Sequence, residues 1–311
     1  MLDRCVSDYS DHYQLPYSPV TTSVVRSRTV DLIVTYRYVT GTISSVEESL
    51  GMAQLLEGKT VVVAGVGTGL GREVALAAHR DGANVVLGAR TESNLKTIAE
   101  EIDPTGERVA YAVTDMSEQA DCENLISVAV NKFGAVDAIT IVAAKDAVFG
   151  GLEGADLDAW KDVFDFNVIA TMRLTQAALP ELSKRGGSVV LVGTQAMFNP
   201  ALPQTAYAAS KGALHSAMFS LAKELGPKKI RVNMVVPTWM WGPNVELYVS
   251  MTAKQRGVSE EDVKAGIARK MALREIPEDG DVANSVVFFA SDHARMLTGQ
   301  TLIVNGGEYF R

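Results

Sequence analysis

The stretch KTVVVAGVGTGLGREVALAAHR, residues 59–80, decides how the rest of the chain is read. Lys59 to Ala64 is a short apolar run rich in β-branched residues, which predicts a buried strand. Gly65-Val-Gly-Thr-Gly-Leu-Gly71 follows without a break, and Arg72 to Arg80 reads as a helix. A strand, a glycine-rich turn and a helix start together make a cradle for the diphosphate of a dinucleotide. Glycines let the backbone approach the anion, and the unpaired N–H groups of a first helical turn point at it. Glycine also simply makes turns, so it is the placement between strand and helix that carries the reading.

Strand-like segments near 60–64, 84–89, 108–113, 137–143, 187–193, 230–236 and 301–304 alternate with helical ones, the longest over about 157–184 and 205–226. That alternation predicts an α/β fold, a Rossmann-type doubly wound parallel sheet of about seven strands flanked by helices in a single domain. The second strand, Asn84 to Ala89, ends at Arg90. An acidic residue there would bind a ribose 2′-OH, whereas a guanidinium suits a 2′-phosphate and stacks on adenine. Arg90 therefore favours NADP(H) over NAD(H). An ordinary surface arginine is the alternative, and Thr68 in the glycine loop adds no second basic group.

Tyr207 and Lys211 stand four residues apart in Thr205-Ala-Tyr-Ala-Ala-Ser-Lys-Gly212. On a helix they share a face. An ammonium beside a phenol stabilises the phenolate, so the expectation is a tyrosine with a lowered pKa, suited to general acid–base work. Alone, such a pair is as readily a core tyrosine beside a solvated lysine.

With the glycine spacing Gly65, Gly69, Gly71 (G-x-x-x-G-x-G, Gly67 inside the gap) and Y-x-x-x-K downstream, the chain resembles the short-chain dehydrogenase/reductase family from about Leu56 to Arg311. The closing tract, Asp281 to Gly307 with its Thr-Gly-Gln turn and Gly-Gly ending, resembles that family's last helix and strand. The resemblance implies a catalytic group of Tyr207, Lys211, Thr194 and Asn167. Thr194 falls where the family has serine, thirteen residues before the tyrosine, and its hydroxyl can still donate to a carbonyl oxygen. The alternative for Thr194 is a bond to backbone in its own turn. Asn167 matches an asparagine expected to hold a water that carries protons from the lysine to solvent.

The resemblance also implies cofactor contacts from Gly65, Gly69, Leu70, Gly71 and Arg90, from Asp115 to the adenine amino group and from the Met116 backbone. Ala143, Tyr207, Lys211, Pro237 and Met240 would follow towards the nicotinamide end. There are departures. The family's Asn-Asn-Ala-Gly is Ile141-Val-Ala-Ala144 here, so the strand-stabilising amide bonds must be lost or replaced. Pro-Gly becomes Pro237-Thr238, and Gly242 stands where a threonine is expected.

The segment 238–277, with Trp239, Trp241, Leu247, Tyr248, Met251 and Met271, is expected to cover the substrate as an apolar lid, helped by Phe149, Met197 and Phe198. Helical core packing explains Met251 and Met271 equally well. The function implied is an NADP(H)-dependent oxidoreductase interconverting a carbonyl and a secondary alcohol on an apolar small molecule. The alternative is a catalytically weak or inactive cofactor-binding regulator on the same fold. The family also implies a homo-oligomer built through the two longest helices.

Net charge −8 argues against a nucleic-acid partner, and 47% hydrophobic residues in 311 suffice for one sizeable core. Cys5 and Cys122 are too few for a disulfide framework, and His12, His79, His215 and His293 have no ligand spacing, so no metal is expected. His215 reads as a helix-packing or interface residue. Residues 1–51 form an irregular N-terminal extension without a helical period or a long apolar run, so neither a signal nor a membrane span is expected and the location implied is cytoplasmic. Met52-Ala-Gln-Leu-Leu-Glu-Gly58 reads as an ordinary start of a domain over 52–311, which makes 1–51 either a start-site artefact or a regulatory or targeting tail.

Overall fold

The computed structural model describes residues 54–310, so the expectations for residues 1–51 lie outside the described residues. Seven parallel strands form one sheet: β1 (Thr60–Ala64), β2 (Asn84–Ala89), β3 (Val109–Val113), β4 (Ala138–Ile141), β5 (Gly187–Val192), β6 (Ile230–Pro237) and β7 (Thr301–Val304), in the order β3-β2-β1-β4-β5-β6-β7. The helices between them are α1 (Leu70–Arg80), α2 (Glu92–Ile102), α3 (Gln119–Phe133), α4 (Leu157–Phe164), α5 (Thr171–Arg185), α6 (Thr205–Leu225), α7 (Pro243–Arg256), α8 (Glu260–Ala268) and α9 (Asp279–Ala290).

Strand side chains alternate between faces, and both faces are covered by helices, which is why the strands read as unbroken apolar runs. On one face Val61, Val63, Val85 and Leu87 pack with Val74 and Ala78 of α1 and Val282 and Val286 of α9. On the other, Val62, Ala64, Val86 and Ile139 meet Leu125 of α3, Leu174 and Leu182 of α5 and Leu214 and Met218 of α6. The chain runs from β1 outward to β2 and β3, then returns to add β4 on the other side of β1. A crevice for a ligand opens at that reversal, beyond the carboxyl ends of β1 and β4.

The long helix expected over about 157–184 is interrupted. Asp165–Ala170 forms a turn of π-helix between α4 and α5. The wider turn accommodates an extra residue, and such bulges recur at functional sites. Here it carries Asn167, fully buried.

Over the sheet's carboxyl end, α7 and α8 form a small core of their own from Val249, Ala253, Val263, Ile267, Met271 and Ile276. Trp239 and Tyr248 pack against it with ring centroids 5.0 Å apart, and Lys264 Nζ sits 3.5 Å from the Trp241 ring centroid. Met271 thus belongs to this core, whereas Leu247 and Met251 are exposed on the same unit. No described helix is long and apolar enough to cross a membrane.

Candidate active site

Gly65 leaves β1 with φ +98°, a left-handed conformation that side chains resist, and a Cβ there would lie 2.3 Å from the Ala143 nitrogen. A Cβ on Gly71 would lie 2.2 Å from the Gly65 carbonyl oxygen. The turn therefore packs backbone against backbone, with Ala143 held by its N–H donating to Ala64 O at 3.1 Å. Gly69 starts α1 without a side-chain cap. The helix consequently offers its N-terminal dipole end to the crevice, as a diphosphate requires. Leu70, the first residue of α1, turns its side chain into the core. This cradle fits the dinucleotide expected from the sequence.

Arg90 is exposed at the end of β2. Asp115 follows β3, where its Oδ1 accepts from Ser117 N at 2.9 Å and its own N–H donates to Asp121 Oδ2 at 2.9 Å. Met116 buries its side chain, so only its backbone faces outward roles, and its carbonyl accepts from Cys122 Sγ at 3.5 Å. Pro237 ends β6, and Met240 packs against the α1/α9 core layer instead of standing free.

Tyr207, Ser210 and Lys211 occupy one face of α6. Lys211 is 2% exposed and donates from Nζ to Val192 O, the last residue of β5, at 2.7 Å. Thr194, two residues further, caps the short 3-10 turn Gln195–Met197 by accepting from Ala196 N at 3.2 Å. The backbone bond in its own turn is therefore present, and the hydroxyl stands close enough to the Tyr207 phenol to favour the phenolate.

One expectation is overturned. Tyr207 is pushed up to about 12, first by burial and then by the Asp146 carboxylate, with Thr194 pulling only part of the way back. Tyr207 keeps some solvent contact, yet the protein packed around it makes loss of hydration the larger effect. Lys211 is not among the causes, because burial lowers its own pKa to about 8, against an opposing pull from Asp146. Both groups are driven towards their neutral forms.

Asn167 connects the exit of β4 to α6. Its Oδ1 accepts from Lys145 N at 2.7 Å, while its Nδ2 donates to Lys145 O at 3.0 Å and to Ser210 Oγ at 2.9 Å. Ser210 Oγ donates in turn to Tyr207 O at 2.7 Å, and Thr171 Oγ1 donates to Asn167 O at 2.8 Å. The amide bonds missing from Ile141-Val-Ala-Ala144 are thus replaced by a clamp on the next residue. The polar atoms of the Asn167 side chain are all bonded to protein.

Sequence reasoning missed Ser210, Asp146 and Glu308. Ser210 was signalled by its position in the same turn as Lys211. Glu308 Oε2 accepts from Gln195 Nε2 at 2.8 Å and from Thr238 Oγ1, and Asn305 Nδ2 donates to Gln195 Oε1 at 2.6 Å. That network ties the Thr194 turn, the exit of β6 and the chain's end, residues too far apart in sequence to suggest a contact. His215 packs edge-on against Phe198 and Phe219 and bonds Thr301 Oγ1 at 2.9 Å. Among the described residues no group of three His, Cys, Asp or Glu could hold a metal ion.

The chain is similar to known proteins in sequence and fold. A family model described as Enoyl-(Acyl carrier protein) reductase matches residues 65–308. Dehydrogenase/reductase SDR family member 4 of Oryctolagus cuniculus is 32% identical over 253 residues, covering 81% of this chain and 94% of that relative. The 7alpha-hydroxysteroid dehydrogenase of Escherichia coli is 28% identical over 255 residues, again 81% and 94%. The crystal structure of an actinorhodin polyketide ketoreductase with NADPH superposes with a TM-score of 0.73 at 25% identity, covering 80% of this chain and 97% of that one. With this sheet order, this tyrosine–lysine helix and likeness along nearly the whole described domain, the chain belongs to the short-chain dehydrogenase/reductase family of NAD(P)(H)-binding oxidoreductases.

Proposed function

We propose that the chain is an NADP(H)-dependent reductase and dehydrogenase that interconverts an apolar carbonyl compound and its secondary alcohol. The observation that carries this reading is the convergence of Thr194 and Tyr207 over a buried Lys211 anchored to the end of β5. Bound nicotinamide would supply or accept hydride.

Tyr207 gives its phenolic proton to the carbonyl oxygen in reduction. A phenol held at about 12 is protonated throughout the neutral range and so has the proton to give, whereas taking one up in oxidation needs the phenolate and a pKa brought down in the complex. Thr194 donates its hydroxyl to the same oxygen as charge develops there. Lys211 has Nζ protons beyond the one given to Val192, and these would be available to bond ribose hydroxyls of the cofactor. Asn167 acts as a positioning residue that sets Lys145 and Ser210, while its main-chain carbonyl keeps a second lone pair for a proton path.

The diphosphate would lie on Gly65, Gly69, Leu70 and Gly71, the adenine beside Asp115 and Met116, and the ribose nearest the reaction on Ala143 and Lys211. Pro237 and Met240 would flank the nicotinamide. Arg90, exposed and able to reach a 2′-phosphate, supports NADP(H), as does the NADPH in the ketoreductase. Gly150 N bonds Pro203 O at 2.8 Å, which brings the exposed Phe149 and Leu152 beside the start of α6. That apolar wall, and a relative named for a hydroxysteroid, support an apolar substrate. Exposed Ile169 and half-exposed Phe219, on or next to α5 and α6, support the homo-oligomer.

NADPH oxidation measured against a panel of ketones, aldehydes and an enoyl thioester tests the reading. Turnover of a ketone, lost in Tyr207→Phe with NADPH binding retained, is the expected result. Near-normal turnover by that variant would overturn the mechanism. Tight NADPH binding without turnover of any compound would favour the regulator, a reading the altered Ile141–Ala144 and Thr238 segments support.

A further inference from the structure

Asp279 opens α9 and points its carboxylate at the diphosphate cradle. A Cβ built on Gly69 would lie 3.2 Å from Asp279 Oδ2, and one built on Gly242 would lie 2.7 Å from the same oxygen. The carboxylate is therefore wedged between the residue that starts α1 and the residue that starts α7. Neither start carries a side-chain cap. Gly242 follows β6 where the family resemblance expects a threonine towards the cofactor, and the missing side chain leaves room for this carboxylate.

The charges around it are mostly of its own sign. From α1 comes Glu73, which disfavours ionisation of Asp279, while the neighbouring Arg72 is held by Glu73 and Glu101. From α7, Glu246 stands in the first turn. On α9 itself Glu278 and Asp281 are engaged in a reciprocal capping box, with Glu278 N donating to Asp281 Oδ2 at 2.9 Å. No cation contributes to the shift at Asp279, so the positive ends of α1 and α7 are what remain to favour its charge.

Resting on the cofactor reading above, we propose that Asp279 sets the affinity for the dinucleotide. Ionised, its carboxylate stands beside the start of α1 where the diphosphate would lie and repels it; protonated, it does not. Burial first, and Glu73 second, push Asp279 up to about 6, which brings the change into the accessible range. The sign follows directly. Above that pH the group is charged and binding is weaker; below it binding tightens. A diphosphate placed beside the carboxylate raises its pKa further, so binding just above pH 6 takes up protons.

The test uses NADH, which carries the diphosphate but not a 2′-phosphate that itself titrates near pH 6. Affinity is measured by fluorescence from roughly pH 5.5 to 8 at constant ionic strength for the wild type and Asp279→Asn, with proton uptake read by calorimetry in two buffers of different ionisation enthalpy. The wild type should lose about tenfold in affinity across that range, a size typical of one unscreened like-charge contact. Asp279→Asn should bind with the tighter constant at roughly pH 5.5 to 7 and take up no proton there, below the range in which Lys211 titrates. Matching pH profiles for the two proteins, or weaker binding by the variant at roughly pH 8, would overturn the proposal. Proton uptake by the wild type alone is a second check that does not depend on how the variant folds, and its absence at roughly pH 6.5 to 7 would count against the proposal. Failure of both NADH and NADPH to bind either protein at any pH is a different result: it removes the cofactor reading and this inference with it.

Discussion

Asn167 Nδ2 donates to Ser210 Oγ across 2.9 Å, joining the π-helical turn before α5 to the helix that carries Tyr207 and Lys211. The bond is buried, and Ser210 passes it on to the Tyr207 carbonyl. This amide side chain thus links α6 to the exit of β4, beside the bond from Gln204 Nε2 to Asp146 O at 2.8 Å.

Asn167→Ala removes that bond and both bonds to Lys145, leaving buried polar groups unpaired. The expected loss is about 2–4 kcal/mol of stability, from the desolvation cost of each orphaned group. Urea unfolding checks it, and a loss below about 0.5 kcal/mol would mean that the clamp is not needed.

Gly65→Ala places a methyl against the Ala143 backbone at a φ of +98°. Loss of at least about 2 kcal/mol of stability and of measurable NAD(P)H binding is expected. Gly67 has open space around its Cβ position and no left-handed φ, so Gly67→Ala should leave stability within about 0.5 kcal/mol. Equal effects from the two substitutions would refute the close-approach argument.

Lys211 gives a pH signature of stability. Its folded pKa of about 8 lies below its ordinary value, so between about 8 and 10.5 the unfolded chain binds more protons and stability rises with pH. Relative to Lys211→Met, the wild type should gain about 3 kcal/mol across that window. Parallel unfolding curves for the two proteins at roughly pH 7.5 and 10 would show that the buried lysine is not strained.

Arg90→Glu puts an acid where the resemblance expects one in NAD-dependent enzymes. At least a tenfold loss in NADPH affinity, about 1.4 kcal/mol, with no loss for NADH is the expected split. Equal effects on both cofactors would assign Arg90 to the surface.

All seven strands lie within about two residues of the positions that apolar runs and turn residues mark out, because the inner strands are covered on both faces and their composition says so. Helix α6 was legible too, and with it the shared face of Tyr207 and Lys211. What a short window of sequence cannot carry is the partner of a side chain. The π-helical turn that breaks the 157–184 helix carries Asn167, whose partners Lys145 and Ser210 lie 22 and 43 residues away. The raised phenol of Tyr207 depends on how tightly distant segments exclude water from it, which spacing alone does not reveal.

Sequence alone determined the parallel α/β architecture, the glycine cradle and the tyrosine–lysine pair, since each follows from local periodicity or from residues within a few positions of one another. Only the tertiary structure decided that burial and the Asp146 carboxylate, with no contribution from Lys211, govern Tyr207, that Asn167 is a clamp, and that the Asp279 carboxylate sits between Gly69 and Gly242. Desolvation and Coulomb interaction depend on distances between atoms, and those distances are set by packing between segments that lie far apart along the chain.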